Sequence, residues 1–351
     1  MIGLVLHKPQ MWVAGASISA LLFLLFLAVV SIFHDNSTIY PRDDEGLRQL
    51  VHSGQCEMPA DQSPIVEIQN TLSNMAYALA GTLILLCVRS WAGHLLAINL
   101  ILLAIFSGLY HAVLAELPQV LDVAWVYAAL LSLSIYISFV HVQAERPYGM
   151  AIWWWILCGT VLAASFIILP LVFRDNALVT LVAFVDLMAF VVSVNGLCWL
   201  ARKKFPALIF VVAPVVCLFV PVFGYLMRAE LHWDSDAVFP IMIILLVLQL
   251  VVLCASARSL DWSVVGLELA LIGAAVVPGF AFRLLDGYTK TGGRRWLCSP
   301  DSLFQAHAHW HILSAAALLL AYDLVSRFQP LAGDDGDRPV FFPQQSAIAS
   351  H

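Results

Sequence analysis

Residues 11–33 read MWVAGASISALLFLLFLAVVSIF, a stretch with no charged and no amide side chain. Coiled into a helix, a run of this length crosses the roughly 30 Å of hydrocarbon in a bilayer. It exceeds a usual signal-peptide core and no small-x-small cleavage site follows it, so it reads as an anchor. Outward from it, apolar runs recur at 68–88, 93–115, 122–142, 150–172, 177–199, 206–227, 238–257, 262–284 and 303–327. With the first they predict an all-α, polytopic bundle of about ten transmembrane helices. Composition agrees, because only 11% of the 351 residues are charged and 62% are hydrophobic, against about 25% charged in a soluble domain. The net charge of −6 and the lack of a basic block exclude nucleic acid as a partner.

No repeat or linker divides residues 1–328, which read as a single transmembrane domain: the anchor 11–33, an extramembrane loop 34–66, and a core 67–328. The loop is long and contains Pro41, Pro59 and Pro64, which suggests a folded role. The polar tail 329–351 is expected to be disordered. Alternating sides span by span puts both termini on one face. Loops 34–66, 116–121, 228–237 and 285–302 then lie on the other. Positive charge nearly balances across the two faces: Arg202, Lys203 and Lys204 on the first are offset by Arg283, Lys290, Arg294 and Arg295 on the second.

The last apolar run opens Ala306-His307-Ala308-His309-Trp310-His311. A helix turns about 100° per residue, so His307 and His311 share a face one turn apart while His309 points away. Histidines at i and i+4 can ligate one metal ion. An earlier run carries Ser107 and His111 at the same spacing, and Asp122 follows. The alternation of sides brings Ser107, His111, Asp122, His307 and His311 to one membrane depth. Ionisable side chains at such depth are costly and tend to line working cavities. Three imidazoles with an open fourth position fit a catalytic zinc, which acidifies water towards a pKa of about 7 and polarises a carbonyl. Asp122 is suited to move a proton and Ser107 to hydrogen-bond the water or a developing oxyanion. The set reads as the site of a zinc hydrolase within a membrane.

Of the seven cysteines, Cys56 and Cys298 lie in polar stretches, and both stretches fall on the site's face. A disulfide between them, and an extracytoplasmic site with cytoplasmic termini, is one reading; two unpaired thiols is the other. Asp186, Asn195, Gln249 and Glu268 are expected to hydrogen-bond between helices. Glu67 is expected to cap the helix that follows it unless it ligates a cation, Asp323 to meet water near the far interface, and Asp286 to sit on the rim of the site or in the shell of such a cation. Trp153, Trp154 and Trp155 read as an interfacial anchor.

These pieces resemble the alkaline ceramidases, membrane amidases of the superfamily that includes the adiponectin and progestin receptors. The resemblance covers about residues 56–142 and 285–325. It rests on Cys56-Glu57, on Glu67 with Asn70-Thr71 and Ser73-Asn74, on Ser107 with His111, on Leu121-Asp122, on Cys298, and on His307 with His311-Ile312-Leu313. It implies zinc held by His111, His307 and His311, with Ser107 and Asp122 completing the site, and a Cys56–Cys298 bridge. The implied reaction is hydrolysis of a ceramide-like membrane lipid to sphingoid base and fatty acid. The resemblance also implies calcium near Glu57 and Glu67. Gly54-Gln55 and Pro59 replace three family residues there, leaving Asp44 or Asp61 to substitute as oxygen ligands. Val123-Ala124-Trp125 departs from the family after Asp122, and the anchor plus two further helices between 150 and 284 exceed the family's seven. A receptor with structural zinc and an acyl hydrolase of glycerolipids are the competing readings.

Overall fold

The structure is a computed structural model that describes residues 9–34, 56–57, 65–88, 90–114, 116–145, 243, 246–247, 249–251, 253–254, 262–286, 296–298, 302 and 304–328. The expected spans 150–172, 177–199 and 206–227, most of the 34–66 loop, the 329–351 tail, Asp44, Asp61, Trp153–Trp155, Asp186 and Asn195 lie outside these residues. Among the described residues every regular element is helical: α1 (Pro9–His34), α2 (Ile68–Ser73), α3 (Met75–Cys87), α4 (Trp91–Val113), α5 (Glu116–Glu145), α6 (Trp262–Leu285) and α7 (Ala306–Ser326). Five stretches are long and apolar enough to cross a membrane: Pro9–Ala28, Ile68–Cys87, Trp91–Val113, Ser263–Leu285 and Ala306–Ser326. Within α5, Leu121–Ile137 is a shorter apolar helix. Helices suit lipid because each satisfies its own backbone where no water can.

Helix α1 is exposed along much of its length, with Val13 and Leu21 67% and 68% exposed. Its other side packs antiparallel to α3. Gly15 lies on Leu83, and the Ser19 hydroxyl reaches Thr82 Oγ1 at 3.3 Å. Close contact between α3 and α4 needs Gly81, where a Cβ would stand 2.7 Å from the Ala97 carbonyl oxygen. Polar side chains then tie helices together, as the sequence leads one to expect for Gln249. Its side-chain oxygen accepts from Ser134 Oγ at 2.8 Å, and its amide donates to the Ser134 carbonyl at 2.9 Å. Asn99 on α4 donates to Ser132 on α5 in the same way.

Helices α6 and α7 run antiparallel, which three contacts along their length fix. Gly279 packs against Trp310 and Leu313, Phe282 meets His309 with ring centroids 5.2 Å apart, and Glu268 pairs with Arg327 at the other end. This corrects the expectation for Asp323. It is buried, with a carboxylate oxygen 3.5 Å from Arg327, so its charge is met by protein and not by water. Glu268 behaves as expected, although its partner is a charged group on the next helix.

Candidate metal centre

The site forms at one end of the bundle, where α4 finishes and α7 begins. Helix α4 stops at Leu114, whose φ of 48° is left-handed and ends the helical ladder three residues after His111. The chain at Val66 and Glu67 runs beside that end. The Glu67 N–H donates to the His111 carbonyl and the Val66 N–H to the Ala112 carbonyl, both at 3.0 Å. These bonds satisfy carbonyls that a helix terminus leaves open. They also set the Glu67 carboxylate beside the His111 ring, where Oε2 accepts from Nδ1 at 2.6 Å.

Glu67 therefore does not cap α2 with its side chain, contrary to the sequence expectation. Glu57 does so instead, accepting from the N–H groups of Gln69 at 2.7 Å and Asn70 at 2.9 Å. Burial holds the Glu57 carboxyl above the ordinary glutamate range, and the two N–H bonds pull it back in part. The preceding residue, Cys56, forms a disulfide with Cys298, with Cα atoms 5.3 Å apart. Both candidate calcium residues are thus bonded to protein: Glu57 through both oxygens, and Glu67 through Oε2, which also accepts from Asn70 Nδ2 at 3.1 Å.

His111, His307 and His311 converge. Their ring centroids are 5.1 Å (His111 to each partner) and 4.6 Å (His307 to His311) apart, all three are buried, and one nitrogen from each lies within 4.8 Å of the others. Around a tetrahedral zinc, nitrogens about 2.0–2.1 Å from the ion stand roughly 3.3 Å apart, so small ring movements complete such a shell. The far nitrogens support this. His111 Nδ1–H is taken by Glu67. His311 Nδ1 lies 2.8 Å from Ser73 Oγ, whose own proton goes to the Asn70 carbonyl at 2.8 Å. Ser73 must then accept from His311, which leaves the Nε2 lone pair for a ligand. Carboxylate and hydroxyl partners of this kind fix tautomer and ring orientation in metal sites. We expect Glu67→Ala to weaken metal affinity about 10–100-fold, with Glu67→Gln recovering part of the loss; competition against a chelating dye reads this directly.

His309 turns from the cluster, as its spacing predicts. Its Nδ1 bonds the Gln305 carbonyl at 2.8 Å, and its ring lies between Phe282 and Phe304. Ser107 is buried and hydrogen-bonded to half-buried Asp122, whose carboxylate also interacts electrostatically with His111. The five expected residues are therefore neighbours. Asp286 is buried at the end of α6, its N–H bonded to the Phe282 carbonyl.

Four further residues, to which the sequence reading gave no role there, join the site, although Asn70 and Ser73 belong to the motif that carries the resemblance. Ser73 and Tyr77 lie one turn apart on α2 and α3, both against His311; the Tyr77 ring is 5.9 Å from it and its hydroxyl shares a hydrogen bond with Ser314 Oγ at 2.5 Å. Asn70 ties Glu67 to Ser73. Arg283, expected only as a loop charge, sits in the last turn of α6 within electrostatic reach of Asp122, His307 and His311. It lies at i+4 from Gly279, which touches α7, so it shares that face; no signal in the sequence alone points to it. Beyond Tyr77, Trp310 and Ser314 an apolar crevice, partly open to the outside, extends along α7 as far as Ala321.

No protein-family model and no curated protein matches the chain.

Proposed function

We propose that this protein is a zinc-dependent intramembrane amidase that hydrolyses ceramide-like N-acyl sphingoid lipids to sphingoid base and fatty acid. The observation that carries the reading is the buried three-histidine cluster with the Ser107–Asp122 pair alongside it and an apolar cavity next to Tyr77. Zinc bound there supplies Lewis acidity and lowers the pKa of a water. With the metal held by His111, His307 and His311, the Asp122 carboxylate would be placed to hold a proton lost by an acidified water and to return it to a departing amine. Ser107 holds the Asp122 carboxylate in place through its hydroxyl. Glu67 and Ser73 keep His111 and His311 aimed inward, and the Arg283 cation favours negative charge developing nearby. An alkyl chain suits the cavity, whose lining is almost wholly hydrocarbon.

In this reading the chain crosses the membrane about ten times, with cytoplasmic termini and the zinc site on the extracytoplasmic side. The hydropathy of residues 146–261 and the Cys56–Cys298 disulfide support that arrangement. The test offers purified protein, zinc-loaded or chelator-stripped, N-acylsphingosine and matched glycerolipid esters, and measures free fatty acid. Zinc-dependent release from the amide is the expected result. Release from the esters alone would identify a glycerolipid hydrolase. Release from neither, with metal fully bound, would identify a receptor or sensor with structural zinc.

A further inference from the structure

Two aromatic side chains stand out from the end of the bundle that carries the histidines. Trp296 and Phe304 are 85% and 77% exposed, more than any other large apolar side chain among the described residues. Both sit on clamped backbone. The Leu297 N–H donates to the Leu285 carbonyl at 3.0 Å, which ties Trp296 to the end of α6, and Cys298 is bonded to Cys56. Ahead of α7 the Ser302 hydroxyl oxygen accepts from the Phe304 N–H at 3.0 Å, and the buried Gln305 side-chain amide donates to the Ser302 carbonyl at 2.7 Å. This turn puts Gln305 inside and Phe304 outside, with the Phe304 ring against His309.

The helices set the level of these residues. With a helical rise of about 1.5 Å per residue, the 21 residues of α7 reach about 31 Å, which matches the hydrocarbon thickness of a bilayer. Phe304 therefore stands just outside one boundary of that layer, and Trp296 is tied to the neighbouring span, α6, at the same end. Large aromatic surface is costly to hold in water. The headgroup layer instead offers a ring hydrocarbon on one side and gives an indole N–H acceptors on the other. Arg294 and Arg295 precede Trp296 in the sequence, and guanidinium groups suit the lipid phosphates found at this level.

We propose that Trp296 and Phe304 form an interfacial lip, seated in the phospholipid headgroup layer of the leaflet on the metal's side. The lip fixes the depth of the metal centre, because the turn that carries Phe304 runs straight into α7. His307 and His311 lie within about 8 Å of the start of that helix, beneath the headgroups and far from the middle of the bilayer. Bonds that join a lipid's polar head to its tails lie at that level, and bonds along the tails do not.

The experiment uses the full chain, labelled with fluorotryptophan, in phosphatidylcholine nanodiscs and reads fluorine NMR. Trp296→Phe removes one resonance and so assigns it. Three broadening agents are titrated: a lipid with a nitroxide near the head of its acyl chain, a lipid with a nitroxide at the chain end, and a water-soluble gadolinium chelate. The Trp296 resonance is expected to be lost at a lower concentration of the first agent than of either other. Phe304→Trp should add a resonance that behaves the same way with metal content unchanged, and it decides the matter if the Trp296 variant does not fold. Loss first to the gadolinium chelate would mean that the ring stands in water. Loss first to the chain-end nitroxide would place it deep in the hydrocarbon, and persistence with all three would mean that protein covers it. Each of these results would overturn the proposal. The readout needs no turnover, so the lip and the amidase reading can fail separately.

Discussion

Replacing His311 with alanine will strip the protein of its metal and of its hydrolysis together. His311 supplies one of three converging nitrogens, and it is the ring that Ser73 orients and Tyr77 flanks. A zinc left with two protein ligands lacks the set found in catalytic sites. The loss of affinity should therefore exceed the roughly 10–100-fold expected from changing an outer-shell partner such as Glu67. Elemental analysis of the purified variant should give well under one ion per chain, and fatty-acid release should fall to background. His309→Ala is the control: its ring packs on Phe282 and Phe304 and its Nδ1 is held by the Gln305 carbonyl, so metal and activity should both survive. Equal damage from the two substitutions would mean that the wrong face of α7 has been assigned to the metal.

The second large effect separates metal from chemistry. Asp122→Ala should keep the ion and lose turnover, by about 10²–10⁴-fold if its carboxylate carries the proton. Asp122 lies on α5 and bonds Ser107, whereas the donor nitrogens come from α4 and α7. Removing it leaves the three imidazoles and their partners Glu67 and Ser73 untouched. If metal content fell in step with activity, Asp122 would be a ligand or a structural support instead of a proton carrier.

The three histidines were legible because helical periodicity fixes which side chains share a face, and alternation of spans fixes which helix ends meet. Their partners were not. Nothing local marks Ser73 as the neighbour of a residue on the last described helix, and their meeting depends on how α2 packs against α7. Glu67 shows the same limit from the other side. Its position before a helix suggests a cap, but backbone pairing of Val66 and Glu67 with the end of α4 redirects its carboxylate to His111. Asp323 was misplaced because counting turns towards an interface takes no account of Arg327 and Glu268, which enclose it. Hydropathy predicted the described helices within a few residues, since burial in lipid demands long apolar runs whatever the packing. The left-handed Leu114 that ends α4 has no such signature, being neither glycine nor asparagine.

The bond between Cys56 and Cys298 joins segments 242 positions apart in sequence, just outside the histidine cluster. An ion withdrawn by a chelator would thus leave its donor arms tethered within a short distance, at high effective concentration. Reloading then becomes a local closing of three rings instead of a search by two distant parts of the polypeptide, so exchange of the metal need not wait on refolding.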